Sequence, residues 1–198
     1  MHYGQFINLD GDESKDNAQL IMKYRGVSAH PEVDAAIEDI TNESISASEG
    51  ESALEIRLDK VEVSDQIKKG ITEEFENIVS MLNFNEIGHD MFKRWYVDGR
   101  LYHHLVVNEA NLRAGIQEIR PIDASKVRKI KQVKKKKDPK TGALIVEKTD
   151  EYYLYQEKPG STSSGIKLSN DSVSYVTSGL LDASRKKIVS HLHKALKP

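Results

Sequence analysis

Cysteine is missing altogether from this chain of 198 residues, and tryptophan occurs once. Without cysteine neither disulfides nor thiolate metal sites can form, which points to a reducing compartment. No apolar run approaches the roughly 18 to 20 residues that a bilayer crossing needs, so no membrane span is expected. The opening Met1-His2-Tyr3-Gly4-Gln5 lacks the basic and then apolar regions of a signal peptide. Together these absences predict a product made and kept in a cytoplasm. No internal repeat is visible. There is no G-x-S-x-G elbow, and neither Gly142 nor Gly165 is followed by the Gly-Lys-Ser/Thr ending of a phosphate-cradling loop.

What is abundant is charge, at 30% of residues, and it is unevenly placed. Residues 1–65 carry 15 acidic and 5 basic side chains, while residues 66–198 carry 16 acidic and 24 basic. A third of the basic residues fall between Arg120 and Lys140. Such polarity signals self-association or contact with a polyanion, without deciding between them.

Residues 1–20 are acidic and aperiodic, which predicts a flexible arm over residues 1–29. Asp10, Asp12, Ser14 and Asp16 are spaced like calcium-loop ligands, but the required glycine at position six and the closing glutamate are missing. The first expected helix covers 31–46. Pro31 suits its first position, Glu32 and Asp34 suit the positive end of its dipole, and Val33, Ile37, Ile40 and Ser44 make its apolar stripe. Leu54, Ile56 and Leu58 alternate with charged residues as in a half-buried strand. Ser64 reads as the N-cap of a helix over 65–82 with the stripe Ile67, Ile71, Phe75, Ile78, Val79 and Leu82. A third helix over 85–97 should end at Gly99 in a left-handed conformation. The period then changes from 3.6 to 2. Strands are expected at 101–107, where both faces are partly apolar as in a central strand, and at 116–122, 127–133, 143–148, 152–156, 166–168 and 173–176. Asp138 to Gly142 reads as a turn and Lys158 to Gly165 as a flexible loop. A last helix is expected from Ser184, carrying Ile188, Val189, Leu192 and Leu196. Helices first and strands second predict an α+β fold: N-terminal helices, a mostly antiparallel sheet, and a closing helix.

Candidate chemistry is sparse. His103 and His104 are adjacent on a strand and point to opposite faces, and His191 and His193 are two apart on the expected helix, so neither pair can share an ion. His89 reads as a local hydrogen-bonding residue. A metal-dependent nuclease would need Asp98, Asp123 and Glu118 to converge, whereas Asp98 and Asp123 are better read as turn or cap residues. No catalytic, cofactor or metal residues are assigned, and no enzyme activity is expected. The one feature with a possible ligand is the basic hairpin 126–140, with Lys129, Lys131, Lys134, Lys135, Lys136 and Lys137 as candidate electrostatic contacts. The bland alternative is a solvated hairpin whose lysines protect an edge. The arm has no aromatics on which bases would stack, and Tyr152, Tyr153 and Tyr155 read as strand packing. A nucleic-acid-binding α+β module using this hairpin is the alternative function.

The segment Phe92-Lys93-Arg94-Trp95-Tyr96-Val97-Asp98-Gly99-Arg100-Leu101-Tyr102-His103-His104 closely resembles part of the portal vertex proteins of T-even-like, contractile-tailed phages. Five further blocks follow that family in the same order: 30–40, 115–128, 151–155, 175–180 and 190–198. The resemblance implies a portal wing-like α+β domain over 30–198, incomplete, with stem, clip and crown expected downstream. It implies twelve-subunit homo-oligomeric rings at the one capsid vertex through which double-stranded DNA is packaged and ejected. Terminase, major capsid, scaffold and neck proteins are the implied partners. The virion is the implied location, after synthesis in the host cytoplasm. It implies no cofactor and no hydrolysis by this subunit, since the terminase supplies the ATPase. DNA passing through the channel is not expected to touch this part of the chain. The charge layout adds the expectation that the acidic helix 31–46 and the basic second half meet across neighbouring subunits.

Overall fold

The computed structural model describes residues 4–8, 14–46, 53–137, 144–157, 165–185 and 187–196. The α+β class is as the sequence predicts, and the four helices precede all the strands but one, a strand within the expected arm. Strand β1 (Gly4–Asn8) comes first, followed by helices α1 (Ser14–Ser28), α2 (Pro31–Ser44), α3 (Asp65–Met81) and α4 (Phe84–Asp98). Strands β2 (Arg100–Val107), β3 (Ile116–Ile122), β4 (Val127–Lys137), β5 (Leu144–Tyr155), β6 (Ile166–Ser169) and β7 (Val173–Thr177) follow. They form two antiparallel sheets, ordered β1-β4-β5-β6 and β3-β2-β7. As expected, β2 is central in its sheet.

The local signals explain most of these elements. Pro31 opens α2 with no amide hydrogen to leave unpaired. The Ser64 hydroxyl accepts from the Ile67 amide at the start of α3. Gly99 ends α4 at φ 71°, with its amide bonded to the Trp95 carbonyl. A Cβ there would lie 2.8 Å from the Val189 carbonyl oxygen, so glycine is required both for its φ and for the close approach of the C-terminal segment.

Two apolar clusters hold the elements together. Tyr102, Ala124, Val127, Tyr153 and Val173 bring the two sheets together around Ile21 of α1. Tyr24, one turn further along α1, packs with Ile37 of α2, Val97 of α4 and Leu192. Helix α1 therefore belongs to both clusters. Tyr102 stacks on Tyr175 at 4.5 Å and meets Tyr153 edge-on at 6.0 Å, so Tyr153 is a packing residue, as its strand context suggested.

Several expectations need correction. A flexible arm was expected over residues 1–29, but Ser14–Ser28 is a helix with Ala18, Ile21 and Tyr24 buried. Residues 54–58 keep the alternation of half-buried and exposed positions, yet they pair with no strand among the described residues. On α2 the most buried positions are Ile37 and Thr41, while Ile40 is exposed. The stretches 143–148 and 152–156 are one strand, β5, rather than two. The expected closing α-helix from Ser184 is replaced by a turn over 183–185, an extended stretch at 188–190 and a 3-10 turn, His191–Leu196. The reason is tertiary: Val189 donates its amide to Leu180, Leu181 bridges Ile188, and the Ser190 hydroxyl donates to the Tyr96 carbonyl. These bonds use backbone groups that an α-helix would need for itself. The expected turn at 138–142 and nearly all of the loop at 158–165 lie outside the described residues.

Candidate interaction site

Asp98 and Asp123 do converge, but on a guanidinium. Arg25 of α1 donates Nε to Asp98 Oδ1 at 2.9 Å and Nη2 to Asp98 Oδ2 at 2.6 Å. It also reaches Asp123, Nη2 to Oδ1 at 2.9 Å and Nη1 to Oδ2 at 3.3 Å. One planar fork thus ties α1 to the α4–β2 junction and to the turn after β3, the geometry that arginine alone supplies. Asp98 is 5% exposed. Burial pushes its carboxyl above the ordinary aspartate value, against the pull of Arg25. Burial also acts upward on Asp123, but Arg25 and the amide and hydroxyl of Ser125 outweigh it and hold that carboxyl at about 2. Arg25 is raised, chiefly by its hydrogen bonds to Asp98. Glu118, the third carboxylate a nuclease would need, is instead bonded to Arg120 at 2.6 Å through both oxygens. The cap reading of Asp123 holds, since it accepts from the Ser125 amide at the start of a 3-10 turn. Arg25 lies within the expected arm, and no motif along the chain points to it.

The histidines are dispersed. His103 is buried, and burial lowers its pKa. His191 stacks on Tyr96 at 4.5 Å, and His193 shares a hydrogen bond with the Tyr24 hydroxyl at 2.8 Å. His89 is within 2.8 Å of Asn42 Oδ1, which joins α4 to α2 rather than acting locally. Among the described residues no group of three histidine or carboxylate side chains is placed to hold a metal ion.

Charge also joins α2 to α4. Lys93 bonds to Asp34 at 2.8 Å and to Glu38, and the Asp34 bond is the main reason its pKa is raised. Two acidic groups of the 31–46 helix are therefore satisfied within the chain.

The candidate lysines divide into two sets. Lys129 and Lys131 each lie 3.2 Å from Glu151 on β5, and Lys129 also sits over the Tyr153 ring at 5.8 Å. They are half-buried beside Val127, Ile130 and Val133, which are buried. Lys134, Lys135, Lys136 and Lys137 continue β4 opposite Leu144 to Lys148, with a register shift between Lys134 and Lys135. Strand β1 reaches only to Lys134 and β6 only to Tyr152, so beyond Lys134 the hairpin is a two-stranded ribbon among the described residues.

These features define an α+β unit in which the described charged groups fasten its own elements together. Comparison with known proteins places that unit. Residues 17–198 match the family described as Bacteriophage T4-like portal protein (Gp20). The portal protein of Vibrio phage KVP40 is 31% identical over 192 residues, covering 91% of this chain and 37% of its own length. The portal protein of Salmonella phage ViI is 31% identical over 117 residues, covering 59% of this chain and 21% of its own length. The chain belongs to the T4-like portal protein family, and it spans about two-fifths or less of the curated relatives it matches.

Proposed function

We propose that the chain is a structural part of a phage portal subunit, without catalytic activity of its own, located at one vertex of the virion head. The observation that carries this reading is the match of residues 17–198 to the portal family, with portal proteins of two phages at 31% identity. Residues 30–198 act as the peripheral wing-like domain, docked on by helix α1. The assembled protein is a homo-oligomeric ring, of twelve copies by the family resemblance, made in the host cytoplasm. Double-stranded DNA enters and leaves through it, and terminase, capsid, scaffold and neck proteins bind it.

The nucleic-acid-binding alternative rests on Lys129, Lys131 and Lys134 to Lys137. Lys129 and Lys131 share Glu151, so one of their two charges is offset within the chain, which weakens that alternative. Mass measurement under native conditions discriminates the readings. A closed oligomer of fixed subunit number supports the portal reading. A monomer with steeply salt-dependent DNA binding, lost on changing Lys134 to Lys137 to alanine, would replace it.

A further inference from the structure

A groove of roughly 540 Å³ lies between residues 54–56, α3 and the start of α4. Leu54, Ile56, Phe75, Val79 and Phe84 make its apolar lining, and Glu55, Glu76 and Glu86 stand exposed around it. No lysine, arginine or histidine is among its lining residues. Of the three carboxylates only Glu55 has a cation at hand among the described residues, Arg57 at 3.4 Å, and so exposed a pair is held loosely.

The other end of α4 carries a surface of opposite character. Residues 180–189 form a small hairpin. The Val189 amide donates to the Leu180 carbonyl, the Asp182 amide to the Lys187 carbonyl, and Leu181 bridges Ile188. Residues 180, 181 and 183–185 are exposed, Leu181 at 53%. The hairpin holds three basic residues, Arg185, Lys186 and Lys187, against one acidic residue, Asp182. The Asp182 carboxylate is used inside the turn, where it accepts from the Ser184 hydroxyl at 2.6 Å and the Lys187 amide at 3.2 Å. Arg185 has no side-chain hydrogen bond or ion pair among the described residues. Its backbone sits at φ 56°, a left-handed conformation that glycine or asparagine adopts more readily. An arginine there strains the turn without fastening it, which marks its guanidinium as directed outward.

Two bonds anchor the hairpin at the C-terminal end of α4. The Ser178 amide donates to the Gly99 carbonyl at 2.8 Å, and Arg100 donates to the Ile188 carbonyl at 2.7 Å. The groove opens at the N-terminal end, at Phe84, Asn85 and Glu86. Helix α4 has 15 residues and is therefore about 22 Å long. The hairpin cannot enter the groove of its own chain.

We propose that the 180–189 hairpin of one copy seats in the α3–α4 groove of a second copy of this chain. Leu181 meets the Phe75 and Phe84 lining, and Arg185 faces the carboxylates. Opposite charge orients the contact, and the apolar cover holds it. Hairpin and groove are different surfaces at opposite ends of one helix, so the contact is head-to-tail and closes a ring when the rotation closes. This rests on the portal reading and names the surfaces through which neighbouring copies meet.

The absence of cysteine permits a direct test. Chains carrying only Ser80→Cys, in the groove, are mixed with isotope-labelled chains carrying only Ala183→Cys, at the hairpin turn, then oxidised and weighed. Each chain has one thiol, so every mixed disulfide joins two copies. The control replaces Ser80→Cys with Ala110→Cys, an exposed position in the β2–β3 connection. The mixed product should exceed the control at least about tenfold, the enrichment given by roughly 1.4 kcal/mol of contact. It should fall to the control level when the hairpin partner also carries Arg185→Glu. It should return when the groove partner then carries Glu55→Lys, Glu76→Lys and Glu86→Lys. Parity with the control overturns the proposal. So does enrichment that Arg185→Glu leaves unchanged, or a loss that the three lysines fail to restore. Native mass measurement of the unsubstituted chain separates the two failures. A closed oligomer with parity leaves the portal reading standing and removes only this contact, whereas a monomer with parity counts against both.

Discussion

Replacing Arg25 with methionine keeps most of the side-chain volume and removes the fork that holds Asp98 and Asp123. Breaking a buried ion pair by deleting one partner costs about 3–5 kcal/mol, because a charge is left buried without compensation. Here Asp98 is 5% exposed, but the Arg25 and Asp123 side chains are about a third open to solvent at 35% and 36%. Screening of the Asp123 half lowers the expected loss to about 2–3 kcal/mol. For a domain of this size that corresponds to a fall in Tm of about 5–10 °C. The dependence on pH follows from the carboxylates. Asp123, held at about 2 against an ordinary 3.8, contributes stability that is present above pH 4 and lost as pH falls toward 2. Asp98 is raised, so its titration acts in the opposite sense and favours the folded state as pH falls. Without Arg25 burial pushes Asp98 higher still, and the variant recovers stability as Asp98 takes up its proton. The gap between wild type and Arg25→Met should therefore narrow as the pH falls from 7 toward 4. Urea denaturation followed by the fluorescence of Trp95, the only tryptophan, measures it. A gap below about 1 kcal/mol at pH 7, or one of equal size at pH 4, would refute the clamp.

Two further substitutions probe the same framework. Ile21→Ala should cost about 3 kcal/mol in urea denaturation, while neighbouring Met22→Ala, at 58% exposure, should change stability by less than about 0.5 kcal/mol; equal small effects would mean that α1 is a detached arm after all. Gly99→Ala combines a φ of 71° with a contact 2.8 Å from the Val189 carbonyl and should cost at least about 2 kcal/mol, whereas Gly115→Ala has the same φ and open space and should cost about 1 kcal/mol. Thermal melts of the two variants that coincide would contradict the close approach.

The parts of the fold that the sequence announced are those where local chemistry and packing agree. Pro31, Ser64 and Gly99 each act within one turn of the chain, so their signals survive without knowledge of the partner elements. The central place of β2 was legible because both of its faces carry apolar residues. Helix α1 was hidden for the opposite reason. Among residues 17–28 only Ala18, Ile21 and Tyr24 are buried, and the helix's stability comes from two clusters assembled by residues as distant as Leu192. Losing α1 also hid Arg25, and with it the reason that Asp98 and Asp123 approach each other. The C-terminal segment failed differently. Ile188, Val189, Leu192 and Leu196 have helical spacing, but Ser190 and Val189 bond to Tyr96 and Leu180 instead, a competition invisible along the chain. The lysines of β4 were read as one set. Pairing with β5 is what brings Lys129 and Lys131 to Glu151.

The most direct test of the portal assignment is where this chain sits in the virion. Antibody raised against the 198-residue chain and coupled to gold should be applied to phage particles that carry it, after the heads have been opened. The account predicts label at a single vertex of each head, at the junction with the tail. Label spread over all vertices, along the tail, or absent from particles that otherwise contain the protein would contradict it.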